Sequence, residues 1–272
     1  MRAACAMMLA GTFAASAALA QTPTVVADCP GQPRLPVTFE IDCSHVADAA
    51  ARNLCKPFIE NQACKMFPAY REITGIKLED ECKSIKYTIY DQDKWPAKGG
   101  DAGGLALHCG VDYVADYSIK PKILPKIGPY DTHELLHEYQ DQLGAIPYQH
   151  ILFGPSQAEA MRLAGDSEAH DQAVARMKQT TATFEGDYAK FAARPASAAA
   201  KSNIDKCVLA EIQVEETLYL ENPKTIYALY RKLPRSRLKD QADREARFNR
   251  TYDLVSEGKS KSFLMGHGCG PF

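Results

Sequence analysis

"THELLHEYQDQL", residues 132–143, is the stretch on which the reading of the whole chain turns. Asp131 or Thr132 can cap its start, and Gly144 followed by Pro147 can end it, so it predicts a helix of about three turns. At 100° per residue, Leu135, Leu136, Tyr139 and Leu143 share one stripe about 100° wide. His133 and His137 fall within about 40° of each other and well off that stripe. The expected helix buries one face in a core and presents a histidine pair along another.

The spacing has a chemical consequence. Residues at i and i+4 are stacked neighbours, so both imidazoles can reach one tetrahedral zinc at about 2.0–2.1 Å. Glu134 follows the first histidine and can lean toward a zinc-activated water without taking a coordination position. Zinc lowers the pKa of such a water to about 7, and the carboxylate takes its proton as the water attacks a carbonyl. The bland alternative is a solvated histidine pair on an ordinary amphipathic helix.

"HELLH" (133–137) resembles the HExxH signature of the zincin metallopeptidases. The resemblance implies that His133 and His137 bind Zn2+ and that Glu134 is the general base of peptide-bond hydrolysis. It covers five residues and their helical setting. The strands expected before this helix and the helices expected after it also resemble the two-lobed layout of that superfamily. The implied fold is α+β and zincin-like. It has a strand-containing N-terminal lobe (about 21–143), the site helix, and a mainly helical C-terminal lobe (about 144–272) in a single domain.

Catalytic zinc keeps three protein ligands and one open position. The extended form HExxHxxGxxH is absent, because Gln140 and Leu143 stand at its glycine and last histidine. Glu159 in "PSQAEAMRLAGD" (155–166) follows His137 by 22 residues, a spacing similar to that of the thermolysin-like branch, whose third ligand is a glutamate. Ala158 and Leu163 stand where that branch carries an asparagine and an aspartate. Ser156 and Glu159 also read as a capping box, so ligand and cap both remain open for Glu159. Asp166 and His170 are its rivals. On one straight helix His170 would lie about 16 Å beyond Glu159, which makes the two alternatives. Asp166 or Asp141 could instead orient a ligand imidazole. A group polarising the substrate carbonyl is expected among Tyr148, His150, Tyr188 and His267. His45 and His108 are placed in a helix start and a strand, with structural roles.

The opening "MRAACAMMLAGTFAASAALA" (1–20) reads as a secretory signal. Arg2 precedes an apolar, alanine-rich stretch, and Ala18-Leu19-Ala20 gives a small-x-small cleavage pattern. The expectation is a secreted or periplasmic protein that is not membrane-held once the signal is cleaved. Loss of Cys5 with the signal leaves eight cysteines, an even number that favours disulfides in an exported chain. No CxxC pair is present, which argues against a thiolate zinc site or a thioredoxin-type centre. Six cysteines precede residue 110 and are expected to pair among themselves, leaving Cys207 with Cys269. With 32 basic against 34 acidic residues and a pI near 6.4, the chain makes no electrostatic case for nucleic acid.

The remaining pattern is coarse. "PVTFEIDC" (36–43) and "SIKYTIYD" (84–91) alternate as strands, and 105–119 predicts one or two more, broken at Gly110. Ser44 is expected to cap a helix running to about Phe67, bent at Pro57. Helices are expected over 156–193, 203–220, 223–232 and 236–257, with "RPASAAAKS" (194–202) as a connector and "GHGCGPF" as an irregular tail stapled by Cys269. Two functional classes follow. One is an exported zinc metallopeptidase acting on peptides or proteins. The other is a non-catalytic, disulfide-rich envelope or binding protein whose metal helix is vestigial or structural.

Overall fold

The structure is a computed structural model that describes residues 24–31, 34–96, 103–119, 132–143, 152–192, 206–235 and 240–269. The expected signal peptide, the proposed caps Asp131, Gly144 and Pro147, the candidates Tyr148 and His150, and the 194–202 connector lie outside the described residues. So does the proposed lobe boundary at 143/144.

A five-stranded sheet forms the first half. Its strands are β1 (Val25–Val26), β2 (Thr38–His45), β3 (Ser84–Tyr90), β4 (Gly104–Leu107) and β5 (Gly110–Val114), in the order β1-β2-β3-β5-β4. β2, β3 and β5 run parallel, and β1 and β4 join them antiparallel at the two edges. Period-two alternation explains which face is buried: Phe39, Ile41 and Cys43 of β2 and Ile85, Tyr87 and Ile89 of β3 all point inward. The 105–119 stretch does divide into two strands, but at the His108–Cys109 turn, with Gly110 opening β5, and its end is helical, α4 (Ala115–Ser118). His108 lies in the tight turn between β4 and β5, not in a strand.

Ser44 does not cap a helix. Strand pairing carries β2 on to His45, which sits opposite Tyr90 and stacks on its ring at 4.7 Å. Asp48 is the cap instead, its side chain accepting the Ala50 N–H at 2.8 Å, and α1 (Ala49–Arg52) follows. α2 (Cys55–Asn61) then passes through a π-helical segment (Gln62–Met66) into α3 (Phe67–Thr74). Pro57 sits in the first turn of α2, where a missing N–H costs nothing, so no bend arises there. Phe58 meets Tyr87 and Tyr113 edge-on and Phe67 meets Phe39, which fixes this helical run on the sheet.

The second half is helical: α5 (His133–Gln140), α6 (Phe153–Leu163), α7 (Ser167–Ala192), α8 (Lys206–Glu221), α9 (Lys224–Lys232), α10 (Gln241–Val255) and α11 (Lys259–Gly266). The single helix expected over 156–193 is two, because Gly165 takes a φ of 76° and stops α6. Asp166 then accepts the Ala169 N–H at 3.0 Å and starts α7. Over its described residues the tail beyond α11 is irregular, as expected, a turn at His267 and Gly268 leading to Cys269. Cys269 follows the helix α11 and is joined to Cys207 of α8.

The other disulfides are Cys29–Cys64, Cys43–Cys55 and Cys82–Cys109, so the first six cysteines pair among themselves as expected. One continuous cluster of buried side chains runs from Val37 on the sheet to Leu264 and Cys269 at the far end. No described helix is long and apolar enough to cross a membrane.

Candidate metal centre

Helix α5 is held by tyrosines from its neighbours. Tyr70 of α3 bonds the Thr132 hydroxyl at 2.8 Å, and the Tyr113 hydroxyl of β5 accepts the Glu134 N–H at 3.0 Å. Tyr139 donates to the Phe67 carbonyl at 2.8 Å. Leu135, Leu136, Tyr139 and Leu143 are buried, as the 3.6-residue period requires. The helix is shorter than expected, eight residues, and the side chain of Thr132 bonds Tyr70 instead of capping it.

The histidine face is not a wet one. His133 and His137 bring their Nε2 atoms to 3.2 Å, with rings crossing edge to face at 77°. Two corners of a tetrahedron with arms of 2.0–2.1 Å lie about 3.3–3.4 Å apart, so the pair fits one zinc with little adjustment. The same separation suits an N–H···N hydrogen bond between neutral imidazoles. Phe153, the first residue of α6, covers the pair: its ring stacks on His133 at 4.2 Å and meets His137 at 4.7 Å.

Glu134 is 6% exposed and lies against the edge strand β4. A Cβ on Gly104 would stand 2.5 Å from its Oε1 and 2.7 Å from the Tyr113 ring, so a side chain there forces Glu134 or Tyr113 to shift. On the next turn Glu138 accepts the Cys109 N–H at 2.9 Å. Burial pushes its carboxyl up to about 8, against the lowering effect of the Cys109 and Gly110 amides.

Glu159 is engaged elsewhere. Arg162 donates to its two oxygens at 2.9 and 2.7 Å, Tyr219 to Oε2 at 3.2 Å and Tyr227 to Oε1 at 2.6 Å. Burial works against the carboxylate, yet these four bonds outweigh it and hold Glu159 below its ordinary range. The geometry of α6 explains the separation. Phe153 is the residue facing the histidines, and six residues later the helix has advanced about 9 Å and turned away by about 120°. The capping-box alternative fails, because α6 begins at Phe153 and buries Ser156 in its second turn. There the Ser156 hydroxyl bonds the Leu152 carbonyl and, at 2.9 Å, Tyr230.

Asp166 and His170 each have a local partner. Asp166 caps α7, and His170 faces Asp171 at 3.1 Å. Asp141 follows the last turn of α5, where its charge raises Glu138. Tyr188 and His267 meet each other, Tyr188 donating to the His267 carbonyl at 2.6 Å, in a cluster with Phe184 and Phe263. Among the described residues, only Cys82, His108 and Cys109 put three potential ligand atoms within 4.8 Å of one another, and those cysteines are disulfide-bonded.

Phe153, next to the pair, carries little sequence signal, and neither does Glu215 of α8, whose Oε2 accepts the N–H of the preceding Leu152 at 2.7 Å. Burial pushes Glu215 well above its ordinary range, with Glu211 and Glu216 adding to the effect. The run "EIQVEE" (211–216) hinted at this, because its carboxylates interrupt a helix with little amphipathic contrast. No protein-family model, curated protein or solved structure matches the chain.

Proposed function

We propose that the chain is an exported zinc-dependent metallopeptidase, with His133 and His137 holding the metal and Glu134 as general base. The observation that carries this reading is the 3.2 Å approach of the two Nε2 atoms, close to the edge of a tetrahedral zinc site. When bound, zinc supplies Lewis-acid polarisation of water and of a scissile carbonyl. Glu134 sits beside the first histidine, shielded from bulk water, where a carboxylate accepts a proton from the attacking water and passes it to the leaving amine. Tyr113 holds the backbone of that glutamate at 3.0 Å and so fixes its position.

The substrate class follows from the sheet. β4 is an edge strand, and the Glu134 carboxylate lies against its Gly104. An extended peptide added along β4 would gain main-chain hydrogen bonds and run past that carboxylate. Glu159 is held by Arg162, Tyr219 and Tyr227, so the reading rests on the histidine pair and Glu134 without it. Four disulfides in a chain that opens on a signal-like stretch support export.

A second reading is favoured by the Phe153 cover: a non-catalytic envelope protein whose histidines bond each other. Metal analysis with Glu134→Gln separates the two. The peptidase reading expects stoichiometric zinc in both proteins, with hydrolysis of an unfolded protein substrate lowered roughly 10²- to 10⁴-fold in the variant. His133→Ala should lose the metal itself. A mature protein that takes up no zinc when zinc is offered rules the peptidase out.

A further inference from the structure

Helix α6 opens on an unusual residue. Leu152 takes a φ of 67°, in the left-handed region that a branched side chain occupies only when its surroundings hold it there. No side chain from its own segment caps the helix. The Leu152 N–H instead donates across to α8, to Glu215 Oε2 at 2.7 Å. Glu215 is 3% exposed, and a carboxyl placed there is costly unless it does something in return. Its other oxygen and the Tyr252 hydroxyl, both buried without a hydrogen-bond partner among the described residues, line a small cavity with Leu152 and Pro155. The next residue after Leu152 is Phe153, whose ring lies on both imidazoles.

We propose that Glu215 is a positioning residue for the His133–His137 pair, acting through the Leu152 N–H to hold Phe153 against both rings. The zinc arm of this proposal rests on the peptidase reading; the ring geometry does not. The direction of the Phe153 side chain is set by the backbone just before it. A Leu152 released from Glu215 relaxes out of the left-handed region and turns the Phe153 Cα–Cβ bond with it. With the ring gone from their flank, the imidazoles regain rotation about their side-chain bonds and the two Nε2 atoms no longer face each other by default.

The test uses the mature, disulfide-bonded protein. Ring-current shifts of the His133 and His137 carbon-bound protons are read in metal-free protein, and zinc affinity by competition with a chromophoric chelator. Glu215→Gln keeps an acceptor oxygen and should retain wild-type shifts and affinity. Glu215→Leu should move both histidines toward the shifts of Phe153→Leu and weaken zinc about ten- to a hundredfold. Adding Leu152→Gly, which takes a φ near 67° without strain, should recover much of the shift. If Glu215 acts through Phe153, the double variant Glu215→Leu/Phe153→Leu binds zinc no more weakly than Phe153→Leu alone. Additive losses, or unchanged shifts in folded Glu215→Leu, overturn the proposal. So does a Leu152 amide that exchanges freely in the unmodified protein, whatever the variants do. Should the pair bind no zinc at all, the peptidase reading falls while the shifts still decide the role of Glu215.

Discussion

The Glu138 carboxyl group accepts the backbone N–H of Cys109 at 2.9 Å. This bond joins the helix that carries the histidine pair to the turn between β4 and β5. Glu138→Ala would strand the Cys109 and Gly110 amides under cover, at a cost of about 2–3 kcal/mol. Glu138→Gln keeps an acceptor and should recover most of that loss. Urea unfolding of the three proteins checks the point, and an alanine variant as stable as the parent would show that the bond contributes nothing.

Glu216 gives the protein a pH dependence with a definite sign. Burial pushes it from 4.5 up to about 7, with Arg176 and Thr180 pulling the other way. Between those values the unfolded chain has released the proton that the folded chain keeps. Stability therefore falls with rising pH across this window, at about 1.4 kcal/mol per pH unit at most, and levels off above it. Glu216→Gln should remove this component. Denaturation series from pH 4.5 to 7.5 on both proteins measure it, and parallel curves would show that Glu216 ionises normally.

Arg162 keeps Glu159 charged under cover. Arg162→Ala leaves that carboxylate with only Tyr219 and Tyr227, and should cost about 2–4 kcal/mol. Zinc affinity is expected to stay within a few-fold of the parent in both Arg162→Ala and Glu159→Gln. A large drop in affinity confined to Glu159→Gln would instead bring Glu159 into the metal site.

Gly104→Ala places a methyl where Glu134 Oε1 would be 2.5 Å away. The carboxylate has to shift, and a displacement near 1 Å is enough to cost about a hundredfold in rate. Zinc content should not change, because the histidines are untouched. Steady-state hydrolysis and metal analysis on one preparation check both halves, and full activity in the variant would remove Glu134 from the chemistry.

What could be read in advance was local. The leucine and tyrosine stripe of α5 follows from one helical period, and the strand Ser84–Tyr90 from one alternation. The split of the cysteines into six and two also needed only their order in the chain. What could not be read depends on partners far away. Ser44 looked like a cap because its pairing context, His45 opposite Tyr90, lies on another strand. Ser156 looked like a cap because a left-handed leucine four residues earlier, pinned by Glu215, starts the helix sooner. Glu159 had a fitting distance from His137 in sequence, but the turn of α6, Arg162 one turn on and two distant tyrosines decide which partners it meets. Phe153 carries no motif, and its place over the histidines is purely tertiary.

The order of the disulfides bears on how the protein is made. Cys43–Cys55 is nested inside Cys29–Cys64. If the chain is exported as proposed, Cys29 and Cys43 reach the oxidising side before Cys55 and Cys64, and an oxidant that joins thiols in order of arrival would link those two. After such a link the native pairs would be reached only by thiol–disulfide exchange, a step that an isomerase speeds and a simple oxidant does not.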